Sequence, residues 1–146
     1  MGRPGMTPGT QRMGVPANRI LIVDDDKSIR LLLVTFLRHR GFRLLEARDG
    51  REALAEMHAG NIDLVVMDLM MPGVSGMDVL RERATDPSLQ HIPIIVISAN
   101  DGYRTKADVF DKDVWAVITK PFELEALLEA VTTGLVQANI AAPSAA

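Results

Sequence analysis

The stretch ILIVDDDKSIR, Ile20–Arg30, runs four apolar residues straight into three consecutive carboxylates. Ile20–Val23 is short, wholly apolar and rich in β-branched residues, the pattern of a strand covered on both faces. Asp24, Asp25 and Asp26 then set like charges on neighbouring residues, which repel and invite protonation unless a cation is shared among them. Where else the chain repeats this arrangement decides the fold.

It repeats three times. Leu64–Met67 is a second buried run and ends in Asp68. Ile94–Ile97, entered through Pro93, ends in Ser98, and Val114–Ile118 ends in Thr119–Lys120. Phe42–Ala47 reads as a further strand. Between the strands the period changes to that of helices. Ser28–Arg40 carries Ile29, Leu32, Leu33, Phe36 and Leu37 at helical spacing and stops at Gly41. Asp49 is placed to cap a helix over Arg51–Ala59 that ends at Gly60. Helices are also expected over Met77–Ala84, Tyr103–Phe110 and Glu123–Ala138, the last with Leu124, Leu127, Leu128, Val131 and Leu135 on one face. Five strands alternating with five helices imply an α/β fold: a parallel sheet, doubly wound, with helices on both sides.

Composition agrees with one such domain. The chain has 146 residues, 47% hydrophobic and 24% charged, enough apolar material for one core and too much for a disordered chain. Residues 1–18 are rich in Gly and Pro without apolar periodicity and read as a flexible tail, with Met6 and Met13 as alternative starts. The folded unit is expected over 19–139, with a short tail over 140–146. A net charge of −3 offers no basic field for nucleic acid. There is no cysteine, which removes thiolate metal sites and disulfides. No apolar run approaches the roughly 20 residues that span a bilayer, so no membrane contact and a cytoplasmic location are expected.

The strand ends hold the chemistry. In an open parallel sheet, ligands bind outside the carboxyl ends of the strands, near a switch in strand order. If the first, third and fourth strands are central with the fifth beside them, Asp24, Asp25, Asp68, Ser98 and Lys120 face one crevice. Clustered carboxylates with no His or Cys nearby suit Mg²⁺. A carboxylate beside that ion can be a nucleophile toward a phosphoryl group, with a lysine and a hydroxyl stabilising the transferring oxygens.

The four motifs LIVDDD, VVMDLMMPGVSG, IIVISA and VITKPF, in this order and spacing, resemble the response-regulator receiver domain of two-component systems. The resemblance covers about 19–139 and implies a flavodoxin-like (βα)5 fold. It implies Asp68 as phosphoacceptor, and Asp24 and Asp25 as the acidic pair for Mg²⁺, joined by Asp68 and the backbone carbonyl of Met70. It further implies Ser98 as switch hydroxyl, Ala99 as a small residue that leaves the phosphoryl group an approach, Lys120 as its counter-charge, and a cis bond before Pro121. The implied role is a stand-alone switch, not an enzyme toward outside substrates. It would take phosphoryl from a sensor histidine kinase or phosphotransfer protein and select a downstream protein partner through the fourth helix, fifth strand and fifth helix. One departure stands out: the family usually has Tyr or Phe where this chain has Val117, which leaves the readout to another side chain or mutes it.

Two other functions compete. A receiver-like interaction module independent of phosphorylation is motivated by Val117. A phosphohydrolase of the haloacid-dehalogenase type would use Asp24 and Asp26 as its Asp-x-Asp pair, but leaves Asp68 without work and lacks a late acidic pair. Plainer readings apply to several residues. Asp26 reads as a helix-start carboxylate. His39, His58 and His91 read as solvated. Trp115 reads either as a half-buried packing residue or as an exposed anchor on the partner face. Arg30, Arg38, Arg40 and Arg43 read as a solvated basic face.

Overall fold

The computed structural model describes residues 18–98 and 114–141. Five strands, β1 (Arg19–Val23), β2 (Arg43–Ala47), β3 (Leu64–Asp68), β4 (Ile94–Ser98) and β5 (Ala116–Thr119), form one parallel sheet in the order β2-β1-β3-β4-β5. The described helices are α1 (Lys27–Arg38), α2 (Gly50–Ala59), α3 (Gly76–Thr85) and α4 (Leu124–Ala141). The helix expected over Tyr103–Phe110 lies outside the described residues, as do Ala99 and most of the two expected tails. The strand order is the one the sequence pattern requires to bring the polar strand ends together. The chain winds outward from β1 to β2, crosses back to β3 and continues to β5, so direction reverses between β1 and β3.

Alternation along the central strands builds two cores. Leu21, Val23, Val65, Met67, Ile94 and Val96 point to one face, where Ala53 and Met57 of α2 and Val79 and Leu80 of α3 cover them. Ile20, Ile22, Leu64, Val66, Ile95 and Ile97 point to the other, under Leu33, Val34 and Leu37 of α1 and Leu127, Val131 and Leu135 of α4. Because both faces are covered, β3 and β4 are buried at every position, which is why they read as unbroken apolar runs.

Local signals fix the ends. Asp26 is the N-cap of α1 and accepts from the amides of Ser28 and Ile29. Asp49 caps α2 by accepting from the Glu52 amide, and Ser75 and Asp78 form a capping box on α3. Gly41 and Gly60 take φ of 96° and 88°, where a side chain is strained, and close the chain after α1 and α2. Two expectations need correction. β5 begins at Ala116, not Val114, although the Trp115 amide already donates to the Ile94 carbonyl at 2.7 Å. The buried stripe of α1 is Arg30, Leu33, Val34 and Leu37, so Leu32 is 50% exposed and the helix is rotated by about one residue from the expected face.

Candidate functional site

Parallel register delivers the acids. Val23 pairs with Met67, so the residues that follow, Asp24 and Asp68, leave adjacent strands side by side. Asp24 is 2% exposed, and its Oδ1 accepts from the Asp26 amide at 2.8 Å. Its Oδ2 is buried without a hydrogen-bond partner among the described residues. Burial pushes the Asp24 carboxyl up to about 6; the Asp26 amide opposes this, and the charge of Asp68 adds to it.

Asp68 ends β3 and is also buried. Its Oδ1 accepts from the Met70 amide at 3.0 Å, and its Oδ2 lies 3.8 Å from Lys120 Nζ. Burial raises its carboxyl above the usual range, against the pull of the Met70 amide and Lys120. Asp25 is exposed at the rim, yet one oxygen from each of Asp24, Asp25 and Asp68 falls within 4.8 Å of the others. Asp26 is outside this group, since its carboxylate caps α1. The Asp24-x-Asp26 pattern therefore does not present two acids to one site.

Ser98, buried at the end of β4, stands one residue beyond Ile97, the register partner of Asp68. Its carbonyl accepts from the Lys120 amide at 2.7 Å, which fixes the start of the Lys120 side chain relative to β4. The Lys120–Pro121 bond is cis, as the motif implied. Beside Lys120, the side chains of Ile29, Leu32, Phe122 and Leu124 line an apolar cavity of about 530 Å³.

The donor set fits a hard divalent cation. It is made of carboxylate oxygens without His or Cys, and one of those oxygens is buried with no donor to satisfy it among the described residues. Mg²⁺ typically takes one or two carboxylates and keeps waters, which suits one exposed and two buried acids.

Residues 20–132 match the family model described as the response regulator receiver domain. The chain belongs to the response regulator receiver family. Among curated relatives, this receiver is 36% identical over 114 residues to the chemotaxis protein CheY of Pseudomonas aeruginosa, covering 77% of this chain and 92% of that one. It is 38% identical over 114 residues to the CAI-1 autoinducer sensor kinase/phosphatase CqsS of Vibrio cholerae, covering 77% of this chain and only 17% of that protein. Among solved structures, the response regulator TrrA of Thermotoga maritima, in complex with Mg(2+)-BeF, superposes with a TM-score of 0.73 at 36% identity. That match covers 81% of this chain and 99% of the other. The relatives thus include both a protein of the receiver's own size and a much longer one. Among the described residues, no helix is long and apolar enough to cross a membrane.

Two residues of the receiver site escaped the sequence reading. Arg30 is buried, and Nη1 donates to the Asp24 carbonyl at 2.8 Å, so it is not part of a solvated basic face. Arg38, Arg40 and Arg43 are exposed as expected, with Arg40 over the Phe36 ring and near Glu125. Gly76 is the second. A Cβ there would lie 2.9 Å from both the Asp68 carbonyl oxygen and Leu69 Cα, so α3 begins directly against the backbone of Asp68. Trp115 packs against α4 while 39% exposed. Its indole N–H donates to the Ala130 carbonyl at 3.1 Å and to Thr133 Oγ1 at 3.3 Å, holding the ring against α4. Val117 is 39% exposed on β5.

Proposed function

We propose that this receiver is a phosphoryl-accepting switch with Asp68 as its acceptor. The single observation that carries the reading is the meeting of three carboxylates with Lys120 at the carboxyl ends of the strands, where Asp24 Oδ2 is buried without a hydrogen-bond partner among the described residues. Asp24, Asp25, Asp68 and the Met70 carbonyl would hold Mg²⁺, which when bound neutralises the acids and offsets charge on the transferring group.

The chain's own groups account for the rest. A carboxylate oxygen of Asp68 forms the new bond to phosphorus while the donor's bond to phosphorus breaks, its electron pair leaving with the donor. With Oδ1 held by the Met70 amide, Asp68 enters the reaction already oriented. Lys120 offers its ammonium to the phosphoryl oxygens, and the Ser98 hydroxyl donates to one of them. The product is an acyl phosphate on the protein itself. The protein promotes its own phosphotransfer and hydrolysis and acts on no outside substrate.

The donor is a sensor histidine kinase or a phosphotransfer protein. The output is altered affinity for a downstream protein, effective only as far as that partner distinguishes the two states. Trp115 does not replace the aromatic that Val117 lacks, because its ring is tied to α4. The readout then runs through Ser98 with less aromatic coupling than is usual in the family.

Incubation with labelled acetyl phosphate and Mg²⁺ tests this. Base-labile, acid-stable label that disappears in Asp68→Asn is the expected result. Label on Asp24 would favour a hydrolase. No label at all would favour an interaction module that works without phosphorylation.

A further inference from the structure

Arg30 heads the buried stripe of α1 and is 8% exposed. A guanidinium buried among aliphatic side chains is costly unless its donors are met. Nη1 donates to the Asp24 carbonyl at 2.8 Å, and Nε donates to Glu46 Oε1 at 3.0 Å. Glu46 lies on β2, so one side chain ties α1 to the ends of two strands.

The consequence falls on Asp24. Its amide donates to the Ala47 carbonyl at 3.1 Å. Its carbonyl accepts from Arg30, and its Oδ1 accepts from the Asp26 amide. Only Oδ2 is left bare among the described residues. Of these bonds, the one from Arg30 is the charge-assisted one, from a guanidinium whose Nε is held by Glu46, and it reaches the peptide that joins Asp24 to Asp25.

We propose that Arg30 is a positioning residue of the acidic site: by gripping the Asp24 carbonyl it fixes the direction of Asp24 Oδ2 and sets Mg²⁺ affinity without touching the ion. The proposal rests on the Mg²⁺ reading of the site. Its rival is a plain structural staple, in which the Arg30–Glu46 pair fastens α1 to β2 and nothing more.

The test uses the full chain with Arg30→Gln, Arg30→Lys and Glu46→Gln, each checked for cooperative unfolding. Mg²⁺ affinity is measured by calorimetric titration, and exchange of the Asp26 amide is measured in metal-free protein. Arg30→Gln should weaken Mg²⁺ binding roughly tenfold, the lower range for losing an outer partner of a metal ligand. It should also speed exchange at Asp26, whose N–H depends on the orientation of Asp24. Arg30→Lys, which keeps the charge but not the fork, should restore affinity to about threefold below wild type. Glu46→Gln keeps an oxygen acceptor for Nε and should stay within about twofold.

Wild-type affinity and unchanged Asp26 exchange in a folded Arg30 variant would overturn the proposal in favour of the staple. Should Arg30→Gln not fold, Arg30→Lys decides by the same two readings. If the wild-type chain binds no Mg²⁺, the metal reading fails. The Asp26 amide then decides alone: faster exchange upholds positioning and an unchanged rate overturns it.

Discussion

Lys120 Nζ stands 3.8 Å from Asp68 Oδ2, while the Met70 amide holds Oδ1, so the two oxygens of one carboxylate have different neighbours. On the proposed reading, the ammonium stands where charge would gather when a phosphoryl group arrives. Lys120→Ala should therefore slow labelling from acetyl phosphate by roughly tenfold or more, in line with the loss of a pre-placed electrostatic donor. The fold should persist, because the Lys120 backbone bond to Ser98 does not need the side chain. Unchanged labelling kinetics in a folded variant would remove Lys120 from the mechanism.

Asp24 yields a prediction with a change of sign. In metal-free protein its buried Oδ2 has no hydrogen-bond partner among the described residues, so Asp24→Asn should melt higher than wild type in the presence of a chelator. The new amide keeps an oxygen for the Asp26 N–H and can donate to the neighbouring carboxylates. With Mg²⁺ at about 100 times its Kd, wild type should gain about 2.7 kcal/mol. The variant should gain far less, and the order of melting temperatures should invert. Thermal scans with EDTA and with Mg²⁺ check both halves; a variant stabilised by Mg²⁺ as strongly as wild type would contradict the assignment.

Gly76 bears on Asp68 by its lack of a side chain. Its amide donates to the Leu69 carbonyl at 3.0 Å, and any Cβ would press on the backbone of Asp68 and Leu69. Gly76 is the first residue of α3, so Gly76→Ala gains well under the roughly 1 kcal/mol of a helix interior. The contact is with backbone that cannot rotate away, so Asp68 must shift. A net loss of roughly 1–3 kcal/mol is expected, typical of overpacking, with slower labelling by acetyl phosphate. Urea unfolding and the labelling rate are the two measurements, and a variant as stable and as fast as wild type would refute the steric account.

These cases show what could be read from the residues and what could not. Buried strands announce themselves because both faces need apolar residues, and the polar residues ending them announce the crevice. Asp24, Asp68, Ser98 and Lys120 were legible for that reason. Arg30 was not, because its partner is a backbone carbonyl, and a backbone atom leaves no mark in a sequence. A signal did exist: Arg30, Leu33, Val34 and Leu37 follow the i, i+3, i+4, i+7 rule. The stronger apolar character of Ile29, Leu32 and Phe36 drew the face around by one residue. Gly76 was hidden similarly, since close approach between α3 and the end of β3 depends on tertiary geometry. Val114 and Trp115 extend the apolar run ahead of β5 without belonging to the strand, because Val114 packs on one core and Trp115 turns to α4.

Trp115 offers a direct probe of that last contact. A Cβ on Gly134 would lie 3.0 Å from Leu64 Cδ1 and from Trp115 Cδ1. Alanine there needs small adjustments, which the part-exposed indole can make. Gly134→Val adds branched methyls that cannot be absorbed against fully buried Leu64. A loss of roughly 1–3 kcal/mol is expected, with a change in the emission of the single tryptophan. A variant with unaltered emission and stability would show that the ring does not depend on the space Gly134 leaves.

The far end of the domain supplies a pH dependence separate from the acidic site. His58 Nε2 lies 2.9 Å from Asp86 Oδ2, joining the end of α2 to the residue after α3. The bond with Asp86 raises the histidine above its ordinary value of 6.5. Bonds from Ser88 and then from His58 lower the Asp86 carboxyl to about 2. A raised histidine stabilises the fold fully below 6.5 and loses that contribution as pH rises through its folded value. A lowered aspartate contributes above its unfolded value of 3.8, and the contribution vanishes as pH falls through about 2. The pair is therefore strongest between about 4 and 6.5. Wild type should lose more stability than His58→Gln when urea unfolding at pH 5.5 is compared with pH 8.5. Groups elsewhere in the protein contribute equally to both chains and cancel in that difference, so equal losses would show that the pair does not couple to folding.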